Sequence, residues 1–384
     1  MMVRLDSICR INMGASPDSS TYNKQKEGLP FYQGNADFGE KYPTARIWCT
    51  APAKVAERGD ILISVRAPIG ALNIATEKCC IGRGLAALTV NEEKCDKSYL
   101  WHAMRSKVDE LNSKGTGSTF KAISRKVLEE TELPLSDLST QQHIAATLDK
   151  VSEGIELCRK MMADLDVMVK SRFVEMFGDP VSNPHGFEQV ALSQLAEIKI
   201  GPFGSLLHKE DYIEGGHPLL NPSHISEGRI VPDDKLTVSD SKYAEMEAYH
   251  LHTGDIVMGR RGEMGRCAVV PDEGYLCGTG SLLIRTKGEV TADYLQKVIS
   301  FPTFKKTIED MAVGQTMPNL NVPIVSSFQI IKPPIDVQRR YYAFVAEVDK
   351  SKFSLQQQLT ELETLKKSLM QQYFGQESGQ KDAE

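Results

Sequence analysis

Residues 141–178 read QQHIAATLDKVSEGIELCRKMMADLDVMVKSRFVEMFG, and residues 338–375 read QRRYYAFVAEVDKSKFSLQQQLTELETLKKSLMQQYFG. The two stretches overlay without a gap at a shift of 197 residues. In the first, Ile144, Leu148, Val151, Ile155, Cys158, Met162, Leu165 and Val169 follow at alternating steps of four and three. In the second, the equivalent seam runs Tyr341, Val345, Val348, Leu355, Leu359 and Leu362, with Leu365, Leu369 and Tyr373 near its end, and Lys352 and Lys366 interrupt it. A 3–4 spacing held over about five heptads predicts a coiled-coil helix in each stretch. Gly178 and Gly375 follow as helix stops, and Pro180 follows the first. About 36 residues at 1.5 Å rise make a rod of roughly 55 Å.

Working outward, the repeat extends over the rest of the chain. VRLDSICRINMG (3–14) matches VALSQLAEIKIG (190–201), and GDILISVRAPIG (59–70) matches GDIVMGRRGEMG (254–265). GRG (82–84) meets GTG (278–280), Tyr99-Leu100 meets Tyr294-Leu295, and the loop GTGSTFKAIS (115–124) lies near VGQTMPNLNV (313–322). Each helix is thus preceded by a domain rich in Gly, Pro and short β-type runs, with helices predicted over 99–111 and 293–311. The fold class is α+β: two similar α+β domains separated by two long coiled-coil helices, as a pseudo-twofold internal repeat. The expected segments are 1–140 for the first domain, 141–178 for the first helix, 179–337 for a linker and the second domain, 338–376 for the second helix and 377–384 for a polar tail expected to be disordered. Helix two begins as soon as the second domain ends, so the two seams are expected to face each other antiparallel. The expected shape is a dumbbell whose C-terminus returns towards the N-terminus.

The 384 residues are 41% apolar and 25% charged, enough for two or three domains with cores of their own. No apolar run reaches the roughly 18 residues of a membrane span. Arg4, Asp6 and Arg10 break up the first residues, which lack the apolar stretch of a secretory signal. The eight Cys form no CxxC pair and read as reduced thiols of a cytoplasmic protein. The net charge is −6, with 19 Lys+Arg against 17 Asp+Glu in residues 1–140 and 14 against 20 in residues 187–337. By bulk count neither domain is a basic nucleic-acid binder, so any DNA contact must come from local clusters or be helped by a partner.

Catalytic chemistry is hard to place. No GxxxxGK[ST] loop, no Gly-rich dinucleotide turn and no methyltransferase or nuclease motif of workable spacing is present. His250 and His252 fall on one face of a strand, but no third or fourth ligand accompanies them. No metal and no cofactor is expected. The polar loops are more suggestive. In the first copy they carry Arg66, Arg83, Lys114, Ser118, Thr119 and Lys121; in the second they carry Arg260, Arg261, Arg266, Gln315, Thr316, Asn319 and Asn321. Arg can pair with guanine, Asn and Gln with adenine, while Lys, Ser and Thr can hold phosphates.

This order of parts resembles the specificity subunit of Type I restriction–modification systems. The resemblance is carried by GASP (14–17), GNADF (34–38), RGDILISVRAPIG (58–70), LPLSDLSTQQHIAATLD (133–149) and FGD (177–179). It recurs in NPSHI (221–225), TGDIVMGRRGEMG (253–265), KPPIDVQRRY (332–341) and FGQ (374–376). It implies that each domain is a target recognition domain reading one half of a bipartite, asymmetric site in double-stranded DNA. It also implies that the helices act as a ruler and, through seam residues such as Ile144, Leu148, Val151, Ile155, Met162, Leu165, Val345, Val348, Leu355, Leu359, Leu362 and Leu369, as the scaffold that docks two methyltransferase subunits. Motor–nuclease subunits join for restriction, and the chemistry belongs to those partners. One departure is visible: KPPIDVQRR is shorter than LPLSDLSTQQH, so the two domain-to-helix joints are expected to differ. A protein-only coiled-coil scaffold and a fused methyltransferase or nuclease remain as alternatives.

Overall fold

A computed structural model describes residues 1–117, 121–202, 206–312 and 319–375. The chain divides into two compact units: Met1–Met161 with the stretch from Leu355 onwards, and Met162–Ser354. Four helices organise them: α1 (Lys97–Ser106), α2 (Leu138–Phe177), α3 (Ala292–Ile299) and α4 (Ile335–Phe374). Each of the long helices α2 and α4 contributes its first part to one unit and its second part to the other.

Both domains repeat the same three sheets. In the first, Cys9–Met13, Leu85–Val90, Ile61–Ser64 and Leu72–Ile74 form an antiparallel sheet in that order. In the second, Ala196–Ile200, Ser281–Thr286, Ile256–Gly259 and Cys267–Val269 do the same. A five-stranded sheet follows in each, with one parallel pair, Leu29–Tyr32 beside Cys79–Ile81 and His217–Leu220 beside Tyr275–Cys277. A two-stranded sheet closes each domain by pairing its first strand with the strand before the long helix: Met2–Arg4 with Glu132–Pro134, and Glu188–Ala191 with Gln329–Lys332. The central strands ILIS and IVMG are buried on both faces and therefore read as continuous apolar runs.

The long helices begin three residues earlier than expected, at Leu138 and Ile335, which are again 197 residues apart. The joints between the last strand and the long helix are residues 135–137 in the first copy and 333–334 in the second, so the second is shorter as expected, and the two differ in chemistry as well. Asp137 caps α2 by accepting from Thr140 N–H at 3.0 Å, whereas Pro334 precedes α4, where its missing N–H costs nothing. Asp96 and Thr291 cap α1 and α3 through the Tyr99 and Tyr294 N–H groups. Gly178 ends α2 at φ +72, and a side chain there would strike Pro184.

In the first unit, Ile144, Ala145, Leu148 and Phe374 share a core with Leu5, Ile8, Ile61, Tyr99 and Leu133. The last residues of α4 thus pack beside the first turns of α2, and Arg159 pairs with Glu363 at 2.7 Å further along. In the second unit, Phe173 and Phe177 pack on Tyr294 and Tyr341, the Tyr341 hydroxyl donates to Val169 O at 3.2 Å, and Lys352 pairs with Asp166 at 2.7 Å. Within each unit the helix segments therefore run antiparallel. Leu148, Val348, Leu355 and Leu359 are buried in the seam, while Met162, Leu165, Val345, Leu362 and Leu369 are half-buried. Leu365 is 46% exposed and does not belong to the seam. Lys352 and Lys366 fill seam positions rather than breaking them, four residues after Val348 and Leu362.

Candidate nucleic-acid interface

The central strand of each domain leads into the loops that carry the predicted arginines. After Ser64 the chain is gripped at Val65, whose N–H donates to Gly84 O at 2.9 Å and whose carbonyl accepts from Ile123 N–H at 2.9 Å. Arg260 occupies the same place in the second domain, donating to Gly280 O at 3.0 Å and accepting from Leu320 N–H at 2.9 Å. The next residue in each copy, Arg66 or Arg261, makes a single bridge to the late loop, at Ala122 or Asn319. Both arginines are exposed, and among the described residues neither forms a salt bridge. The repeat thus presents one free guanidinium at the same point of each domain.

Glycines make this crossing possible. A Cβ on Gly14 would collide with the Gly82 carbonyl, and one on Gly201 with the Gly278 carbonyl. Arg83, between two glycines, is exposed on the first domain's turn; Thr279 takes that position in the second. Lys121 is also exposed, and its carbonyl accepts from Ala67 N–H at 3.1 Å beside Arg66. Arg66, Arg83 and Lys121 therefore lie on loops joined to one another, with no carboxylate paired to any of them among the described residues.

Other predicted residues have partners within the protein. Lys114 pairs with Glu110 at 2.6 Å. Arg266 pairs with Glu263 at 2.7 Å and donates to Pro222 O, while Lys305 holds the same carboxylate at 2.8 Å. Hydrogen bonds from Lys305 and Arg266 hold the Glu263 carboxyl down at about 2. Asn321 accepts from Ile324 N–H as the cap of the short helix Val322–Ser326, just as Ser124 caps Arg125–Glu129. Arg260 is nearly buried, with its Nε on Asn319 Oδ1 at 3.1 Å. Ser118, Thr119, Gln315 and Thr316 lie outside the described residues. The Glu263–Lys305 grip on Arg266 was missed in sequence, although Glu263 stands only three residues before Arg266.

The histidine pair has local partners. His250 stacks on Tyr243, with ring centroids 3.8 Å apart, and bonds its carbonyl; His252 meets Glu273 at 2.9 Å. Among the described residues, no group of three or more His, Cys, Asp or Glu could hold a metal ion, and no helix is long and apolar enough to cross a membrane.

Comparison with known proteins places the chain in a family. The family model described as "Type I restriction modification DNA specificity domain" matches twice, over residues 1–165 and 184–364. The putative type I restriction enzyme MjaX specificity subunit of Methanocaldococcus jannaschii is 46% identical over 151 residues, which are 39% of this chain and 36% of that subunit. The MjaIX specificity subunit of the same organism is 23% identical over 361 residues, covering 86% of this chain and 80% of that one. Among solved structures, the Type I restriction–modification S subunit from M. genitalium superposes with a TM-score of 0.60 at 16% identity, covering 97% of this chain and 96% of that one. A chain from a study of complex assembly and conformational transition in a type I R-M system superposes with a TM-score of 0.64 at 18% identity, covering 97% of each. With its domain matched in both copies, the chain belongs to the Type I restriction–modification DNA specificity family and has the two-domain plan of a specificity subunit.

Proposed function

We propose that the chain reads a bipartite, asymmetric DNA site, the first domain contacting one half through Arg66, Arg83 and Lys121 and the second contacting the other through Arg261. The observation that carries this is the equivalent placement, at the end of the central strand of both domains, of two exposed arginines that form no salt bridge among the described residues. An exposed guanidinium can hold a phosphate or pair bidentately with guanine. The surrounding loops differ, RAPIG against RGEMG, so the two half-sequences differ and the whole site is not a palindrome. The chain performs no chemistry itself. It docks two methyltransferase subunits, which supply the methyl transfer and additional basic surface, and motor–nuclease subunits join for restriction in the cytoplasm. Docking on the long helices is supported by large apolar side chains left in solvent: Leu157 and Met161 in the first unit, Val167, Met168 and Phe353 in the second.

Methylome sequencing of the host with and without this gene tests the reading. The expected result is a gene-dependent, interrupted and non-palindromic adenine-methylation motif. Arg66→Ala should relax only one half of that motif and Arg261→Ala only the other, each by roughly 1–3 kcal/mol where the arginine pairs with guanine. A continuous or palindromic motif would overturn the proposal.

A further inference from the structure

Arg260 departs from its counterpart in a way that the fold does not require. Val65 and Arg260 make the same two backbone hydrogen bonds, and Ala122 and Asn319 sit at the same bridge. The first domain fills these positions with two apolar side chains; the second puts a guanidinium and an amide there, with Arg260 only 9% exposed. A guanidinium has five N–H donors, and among the described residues only the one on Nε has a partner, Asn319 Oδ1. No salt bridge reaches Arg260 among the described residues. Burial and the like charge of Arg261 both disfavour its cationic form. Residues 203–205 and 313–318 contain no Asp or Glu. The Asn319 amide, whose oxygen accepts from Arg260, turns its NH₂ into a further donor. This corner therefore offers donors and positive charge, and no acid of its own to neutralise them.

We propose that Arg260 and Asn319 form an anion site that holds one phosphate of the DNA backbone in the second half-site. This rests on the reading that Arg261 faces DNA. A recessed fork cannot reach into a groove, but it matches the oxygens of a phosphate at the surface. Asn319 fixes the plane of the fork, and the phosphate supplies the missing negative charge. The exposed Arg261, one residue on, is thereby set for the bases. The second domain holds its half-site by an ionic contact that the first, with Val65 and Ala122, does not make.

The test uses the assembled complex with its methyltransferase subunits and a duplex carrying the motif found by methylome sequencing. Arg260→Val installs the first domain's residue and should fold normally by melting temperature. It should lower the magnitude of the slope of log affinity against log salt by about one and leave the methylated motif unchanged. Arg260→Lys should restore much of that slope. On the wild-type complex, methylphosphonate scanning of the second half-site should find one phosphate whose neutralisation weakens binding, and the same substitution should have no effect on Arg260→Val. An unchanged slope overturns the proposal, as does a motif that changes at a base, or a scan in which wild type and variant behave alike. If Arg261→Ala alters the motif while Arg260→Val leaves the slope intact, only the anion site fails. If neither variant affects slope or motif, the reading of this surface as the DNA interface fails as well.

Discussion

Gln141 and Gln338 begin the two aligned stretches, and both are fully buried. Gln141 accepts from Asp96 N–H at 2.9 Å and donates to Ser136 O at 2.7 Å; Gln338 accepts from Thr291 N–H at 2.9 Å and donates to Pro333 O at 2.9 Å. One side chain thus ties the capping residue of the inserted helix to the first turn of the long helix, twice over. Gln141→Leu should leave the half-buried Asp96 N–H without its partner and lower stability by about 1 kcal/mol, measurable by denaturant unfolding. The first unit also contains His102, 1% exposed, whose Nε2 lies 2.8 Å from Asp149, a carboxylate that also accepts from Ser98. Burial lowers the His102 pKa below its ordinary 6.5, against the opposing pull of Asp149. The unfolded chain therefore binds the proton more readily than the folded one, and stability is lost as pH falls below 6.5. His102→Gln, which cannot be protonated, should flatten the fall in melting temperature as pH drops below 6.5. An equally steep fall in the variant would place the acid sensitivity elsewhere.

Among the elements, the seam is unequal along its length. Leu148 is wholly buried against the first domain's core, whereas Leu165 is half-buried. Leu148→Ala should cost about 2–5 kcal/mol and Leu165→Ala clearly less, because only the first leaves a closed cavity. Comparable losses in calorimetry at both sites would contradict this gradient. Lys352 fills a seam position with an apolar stem and carries its charge out to the exposed Asp166. Such a pair contributes roughly 0–1 kcal/mol, so its use in the seam is affordable without apolar replacement.

At the scale of the whole molecule, each domain is closed by its own two-stranded sheet, between Met2–Arg4 and Glu132–Pro134 or between Glu188–Ala191 and Gln329–Lys332. The second domain's reading surface is therefore built within one continuous stretch. Moving residues 187–337 into a related specificity subunit should transfer one half of the DNA motif and leave the other half as it was. Methylome sequencing of the chimera checks this; a motif changed in both halves would show that the two domains do not read independently.

The helices, their seam and the order of the repeat were legible in the amino-acid sequence because they rest on local periodicity: a 3–4 step survives low identity, and Gly178 and Gly375 mark its ends. The loops that would touch DNA were legible as loops, by their glycines and polar residues. Which of their side chains are free was decided only by the tertiary structure. Arg66 and Arg261 have no carboxylate partner among the described residues, whereas Arg266 and Lys114 are paired and Asn321 is spent on a cap. Arg260 and Asn319 lie 59 residues apart in the chain and meet only when the late loop closes on the central strand. Gln141 and Gln338 likewise acquire their partners some 45 residues away only on folding. The physical reason is that a helix seam is written in the spacing of neighbours along the chain, while the availability of a donor depends on what the rest of the fold brings within hydrogen-bonding distance of it.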